Sequence, residues 1–142
     1  MTLYHFTSIY HLPRIKQDGY LRPTESNLSL YVPRQGPDVV WLMDRPDPGE
    51  HHHGLRGTGA NKRAVRIAVN LPVPVPGQNY GASSFCAFPW ISWAKQLHID
   101  KHTMKALIES GGGEEAAKMW WVCPAPIPSD YWVNVERTGY RA

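Results

Sequence analysis

The sequence predicts an α+β fold, in which short strands lie mostly as neighbours along the chain and a few short helices sit between them. Residues 2–7 and 63–71 are breaker-free stretches rich in β-branched and aromatic side chains, the composition of strands. Apolar residues recur at helical spacing only in short windows. Thirteen Pro and twelve Gly in 142 residues interrupt the chain too often for a helical bundle. The length fits one core, so residues 1–142 are read as a single domain.

In chain order, residues 2–7 (TLYHFT) form the first strand. Ser8 then caps a short helix whose stripe is Ile9, Leu12 and Ile15. Pro13 lies about one turn in, and Gly19 closes the helix. Tyr20 and Leu21 are extended, and 22–37 is a polar, turn-rich loop ending at Gly36-Pro37. The apolar run Val39-Val40-Trp41-Leu42-Met43 is a buried strand, and 44–62 is a long open loop, of a length that is functional or disordered in compact domains. Residues 63–71 alternate, with Ala64, Arg66, Ala68 and Asn70 on one face and Val65, Ile67, Val69 and Leu71 on the other. Pro72–Pro76 ends that strand, and 90–97 is a short helix. Asp100 caps a second helix carrying Met104, Leu107 and Ile108, stopped by Gly111-Gly112-Gly113. Met119–Cys123 and Tyr131–Glu136 are expected to close the fold as a pair of strands joined by the turn Pro124–Ser129.

The composition narrows the functional classes. No apolar run approaches the roughly 20 residues of a membrane span, and MTLYHFTS lacks the features of a signal peptide. Cys86 and Cys123 are too few for a disulfide framework and fit a reducing compartment, so a cytoplasmic location is expected, and a monomer is assumed. A net charge of +3 leans toward an anionic partner, a nucleotide or nucleic acid. The triplet His51-His52-His53 has no second Cys or His cluster at ligand spacing, so no metal is expected. Gly54, Gly57 and Gly59 lack the strand and the Gly-Lys-Ser/Thr ending of a phosphate loop. With Arg56, Lys62 and Arg63 nearby, that loop has the charge to meet a nucleic-acid backbone instead. Trp90, Trp93, Trp120 and Trp121 offer either stacking surfaces for bases or core material.

On a strand, His5 and Thr7 point to one face and Tyr4 and Phe6 to the other. Imidazole and hydroxyl each donate or accept, so the His-x-Thr pair matches a ribose diol without adding charge. The stretch Leu3-Tyr4-His5-Phe6-Thr7-Ser8, then Leu12 and Ile15, then Asp18-Gly19-Tyr20-Leu21-Arg22-Pro23, resembles the opening of ADP-ribosyltransferases. The nearest likeness is to the DarT-like group of DNA-modifying enzymes, with RNA 2′-phosphotransferases as more distant relatives. The strands at Val39–Leu42 and Ala64–Ile67 and the segment Pro126-Ile127-Pro128 fit the order of that fold.

The resemblance implies a split, bent β-sheet with NAD as co-substrate in the cleft. His5 would hold the ribose beside the nicotinamide, Thr7 would support it, and Tyr31 or Trp41 would stack on the nicotinamide ring. Apart from the resemblance, Arg66 lies between the small residues Ala64 and Ala68 and has room to meet a pyrophosphate. The implied activity is mono-ADP-ribosyl transfer, a glycosyltransferase reaction, to a macromolecular acceptor, DNA before protein. That reaction needs a carboxylate to stabilise the positive charge developing on the sugar. In the resembled families this Glu opens the strand before the Pro-rich turn, whereas this chain has Lys118-Met119-Trp120-Trp121-Val122 there. The candidates are Glu115, Glu114 and Glu136. The alternatives are a non-catalytic NAD- or nucleotide-binding module on the same fold, and an RNA 2′-phosphotransferase-like enzyme with Arg66 and Arg14 or Arg22 in its cleft.

Overall fold

Eight strands and four helices follow from these local signals in the computed structural model, which describes residues 1–24, 38–47, 62–77, 84–96, 99–110 and 113–139. The first strand, β1 (Thr2–Thr7), is followed by α1 (Leu12–Asp18), β2 (Tyr20–Leu21), β3 (Val40–Met43) and β4 (Val65–Asn70). Then come β5 (Phe88–Pro89), α2 (Trp90–Gln96), α3 (Lys101–Ser110) and α4 (Glu114–Ala117). β6 (Trp120–Cys123), β7 (Ile127–Pro128), a 3₁₀ turn (Ser129–Tyr131) and β8 (Trp132–Arg137) complete the order. The fold is α+β: a six-stranded antiparallel sheet in the order β5-β6-β3-β1-β4-β8, and a separate two-stranded sheet, β2-β7.

Alternation along the strands covers both faces of the large sheet. One face carries Phe6, Met43, Phe88, Trp120 and Val122, packed under Trp90 and Trp93 of α2, Leu107 of α3 and Ala117 of α4. The other carries Leu3, Leu42, Val65, Ile67 and Val69, packed on Leu21 and Ile127 of the small sheet and on Leu12 and Ile15 of α1. Each fully buried Leu, Ile, Val or Phe side chain here stabilises the fold by about 1.5–3 kcal/mol. The predicted two-faced pattern of residues 63–71 matches this: Val65, Ile67 and Val69 are buried on one side, and Arg66 and Ala68 are half-buried on the other.

Several caps are as predicted. Gly19 adopts φ +76° and donates its N–H to the Ile15 carbonyl at 3.1 Å, closing α1. The Asp100 carboxylate accepts the Thr103 N–H and hydroxyl, each at 2.8 Å, at the start of α3.

Other features correct the sequence reading. Ser8 does not cap α1, which begins four residues later at Leu12. Instead Ser8 Oγ accepts the His11 N–H at 3.2 Å and bonds the His11 Nδ1 at 2.8 Å, holding a turn ahead of the helix. The later start places Pro13 in the first turn, where its missing N–H would have had no partner. β6 and β8 are not a closing pair either. β6 lies between β5 and β3, and β8 lies beside β4 at the opposite edge. The connection bends at Pro124-Ala125 and runs on into a further strand instead of folding β8 back onto β6. Its end supplies β7, which pairs with β2 at Tyr20↔Pro128 and Leu21↔Ile127.

Candidate functional site

β1 sits at the centre of the large sheet and treats its two neighbours differently. With β4 it forms six residue pairs, from Thr2↔Asn70 to Thr7↔Val65. With β3 it forms one, Tyr4↔Met43. Immediately past that pair a side chain replaces the backbone ladder: His5 Nδ1 lies 2.9 Å from the Trp41 carbonyl oxygen. The large sheet is therefore two three-stranded halves, β8-β4-β1 and β3-β6-β5, joined at a seam that His5 occupies.

The carbonyl can only accept, so Nδ1 carries the hydrogen, and in the neutral ring Nε2 is left as an acceptor. Burial pushes the His5 pKa below its ordinary 6.5, and the charge of Lys62 pushes in the same direction. The bond to Trp41 opposes both without overcoming them. The seam thus presents a neutral imidazole with a lone pair available to a hydroxyl donor. Thr7, on the same strand face, is buried, and Ser8 beside it is fully buried.

The remaining expected residues separate into other places. The Trp41 backbone meets His5, but its ring lies on the opposite sheet face, 6.4 Å from Trp90 and 5.8 Å edge-on to Trp120. Its indole Nε1 is buried and has no hydrogen-bond partner among the described residues. Tyr31 lies outside the described residues. Arg66 is cross-strand from Phe6, on the face away from His5. There it donates to the Pro46 carbonyl at 2.7 Å, pairs with Glu136, and stands 5.9 Å from the centre of the Tyr4 ring. Glu136 is engaged by both Arg66 and the Asn134 amide. Glu114 and Glu115 open α4 as exposed residues, with Glu115 3.7 Å from Lys118. The structure unites Arg66 with Glu136 and His5 with the Trp41 backbone, and it keeps the two groups on opposite faces.

Sequence reasoning missed two contributors. Lys62 was legible only as one of several loop cations, because nothing local marks its approach to His5. The Ser8–His11 bond rigidifies the turn that leaves β1; its signal, a Ser and a His three residues apart, is common in turns.

Elsewhere, among the described residues, no group of three or more His, Cys, Asp or Glu can hold a metal. The histidine triplet and the glycine-rich stretch lie outside them. Cys86 and Cys123 are buried free thiols whose pKa values burial raises. No described helix is long and apolar enough to cross a membrane. An open depression between Asn70 and Asp130–Val133 lies at the other end of β1 from His5, since Asn70 pairs with Thr2. Comparison with known proteins adds no relative: no family model, no curated protein and no solved structure matches the chain.

Proposed function

We propose that the chain binds NAD at the β1–β3 seam and transfers its ADP-ribose to a macromolecular acceptor, nucleic acid before protein. The observation that carries this reading is the imidazole of His5 standing in a broken ladder with Nε2 as a free acceptor, two residues before the buried Thr7 on the same strand face. A ribose hydroxyl donating to Nε2 is the complementary ligand group. The motif resemblance of residues 3–23 supplies the identity of the nucleotide, and the net charge of +3 supports the choice of acceptor.

A second reading, binding of NAD or a related nucleotide without transfer, is favoured by the positions of the acids. Glu136 is held by Arg66 on the far face, and Glu114 and Glu115 are exposed on α4. Incubation with NAD labelled in its adenylate half, offered single- and double-stranded DNA, RNA and protein, separates the two readings. Label on one acceptor class, lost in His5→Ala, supports transfer. NAD binding by calorimetry with neither transfer nor nicotinamide release supports the module. Neither binding nor turnover removes both.

A further inference from the structure

The outer side of α1 joins positive charge to an exposed aromatic ring, just past the end of β1 that carries His5 and Thr7. Leu12 and Ile15 pack inward, while Tyr10, Arg14 and Asp18 follow one another at four-residue spacing away from the core. Asp18 Oδ2 lies 3.9 Å from Arg14 Nε and 3.3 Å from Arg22 Nη2, so one carboxylate oxygen holds two guanidiniums side by side. The Arg14 side chain is 73% exposed and that of Arg22 53%, and Lys16 is exposed on the flank of the helix. Residues 9–24 thus carry three cations against one acid, two units of the chain's net charge of +3. Tyr10 is 73% exposed, the most of the large hydrophobic side chains described. Its backbone is fixed in the turn that Ser8 closes: Ser8 Oγ bonds His11 twice, and the Ser8 carbonyl accepts the Leu12 N–H at 3.3 Å. A ring so exposed adds little burial to the fold but offers its face to a planar ligand group.

We propose that Tyr10, Arg14 and Arg22, with Lys16 at their flank, form the surface on which the acceptor docks as single-stranded nucleic acid. A base stacks on Tyr10, and backbone phosphates meet the guanidiniums, whose planar forks pair with phosphate oxygens. The inference rests on the acceptor half of the preceding reading and is independent of NAD. Charge alone admits any polyanion, and the ring decides among them. A duplex keeps its bases stacked on one another, and an acidic peptide or an anionic membrane brings charge without a base. Tyr10 stands three residues beyond Thr7, so a strand held there lies at the end of β1 where the seam histidine is.

Fluorescence anisotropy on the full chain, without NAD, tests this with a labelled mixed-sequence DNA strand, the RNA strand of the same sequence, the DNA duplex and polyglutamate. Phosphatidylserine vesicles, read by co-sedimentation, complete the set. Single strands are expected to bind tightest. Tyr10→Ala should weaken them at least fivefold and leave the duplex within twofold. Arg14→Gln and Arg22→Gln should each weaken binding and reduce the slope of log affinity against log salt by about 0.7, one phosphate contact on a single strand. Arg14→Lys should keep that slope, and thermal melts of all variants control for folding. Single-strand affinity unchanged in Tyr10→Ala, or a salt slope unchanged in both glutamine variants, overturns the proposal. So does equal or tighter binding of the duplex, polyglutamate or the vesicles, or a native chain that binds no strand. Loss of this surface in a chain that still releases nicotinamide from NAD leaves the transfer reading standing. Strand binding that depends on Tyr10, in a chain without affinity for NAD, keeps the surface and removes the NAD reading.

Discussion

The two sides of β1 differ in how the strand is joined to its neighbours. Toward β4, six consecutive residue pairs tie the strand down, and the side chains beneath, Val65, Ile67 and Val69, are fully buried. Toward β3, a single pair is followed by a histidine bonded to a carbonyl. The backbone hydrogen bonds of the first side are satisfied by one another. On the second, a titratable side chain substitutes for the ladder, which leaves a polar atom of that side chain for something else. A sheet that yields at one seam while the neighbouring seam is fully zipped exposes a polar position without loosening the core.

Mutations on the two sides should therefore separate stability from binding. The largest effect is expected at Ile67, cross-strand from His5 and fully buried. Ile67→Ala should cost about 2–5 kcal/mol in denaturant unfolding, through lost transfer free energy and the cavity left behind. His5→Ala should cost about 1 kcal/mol, the scale of one net hydrogen bond, yet abolish measurable NAD binding by calorimetry. Equal stability losses at the two positions would break the comparison.

A smaller effect is expected away from either seam, at the turn that leads into β2. Gly19 at φ +76° has open space where a Cβ would stand, so Gly19→Ala meets no clash and bears only the cost of the left-handed backbone. That cost is about 1–2 kcal/mol by thermal denaturation.

The smallest effect should be a pH dependence. The folded-state pKa of His5 lies below 6.5, so the unfolded chain binds more protons between the two values. The stability His5 contributes is present above 6.5 and is lost as pH falls through that value toward the folded one. Denaturation midpoints measured across that window should rise with pH, and His5→Gln should flatten the slope. Lys62→Met, by removing a nearby positive charge, should move the window upward and narrow it.

Local chemistry made most of the fold legible in the sequence. β1, β3 and β4 are stretches whose alternation or continuous apolar character has one reading, and the ends of α1 and α3 are written in Gly19 and Asp100. What was not legible depends on partners distant in sequence. Phe88–Pro89 is too short to announce itself, and only its pairing with β6 makes it a strand. The three prolines from 124 to 128 look like a turn until β2 lies beside them. The site divides in the same way. His-x-Thr was visible on β1, but the bond that His5 makes across the broken ladder requires knowing that the Trp41 carbonyl is within reach. Arg66 was visible on its strand, but its commitment to Glu136, seventy residues away, was not.

The order in which the strands are made bears on how the protein forms. β1 is synthesised before the strands it pairs with, yet its only extensive partner among the described residues is 65–70, and β4 in turn is flanked by residues 132–137. A nascent chain thus carries an aromatic, hydrogen-bond-hungry strand until residue 137 has been made, before the half-sheet β8-β4-β1 can close. Such long-range pairing is the kind that folds slowly and exposes intermediates to aggregation. Removal of β8 should make that period permanent, because it strips β4 of its outer neighbour and turns β4 itself into the edge of the sheet.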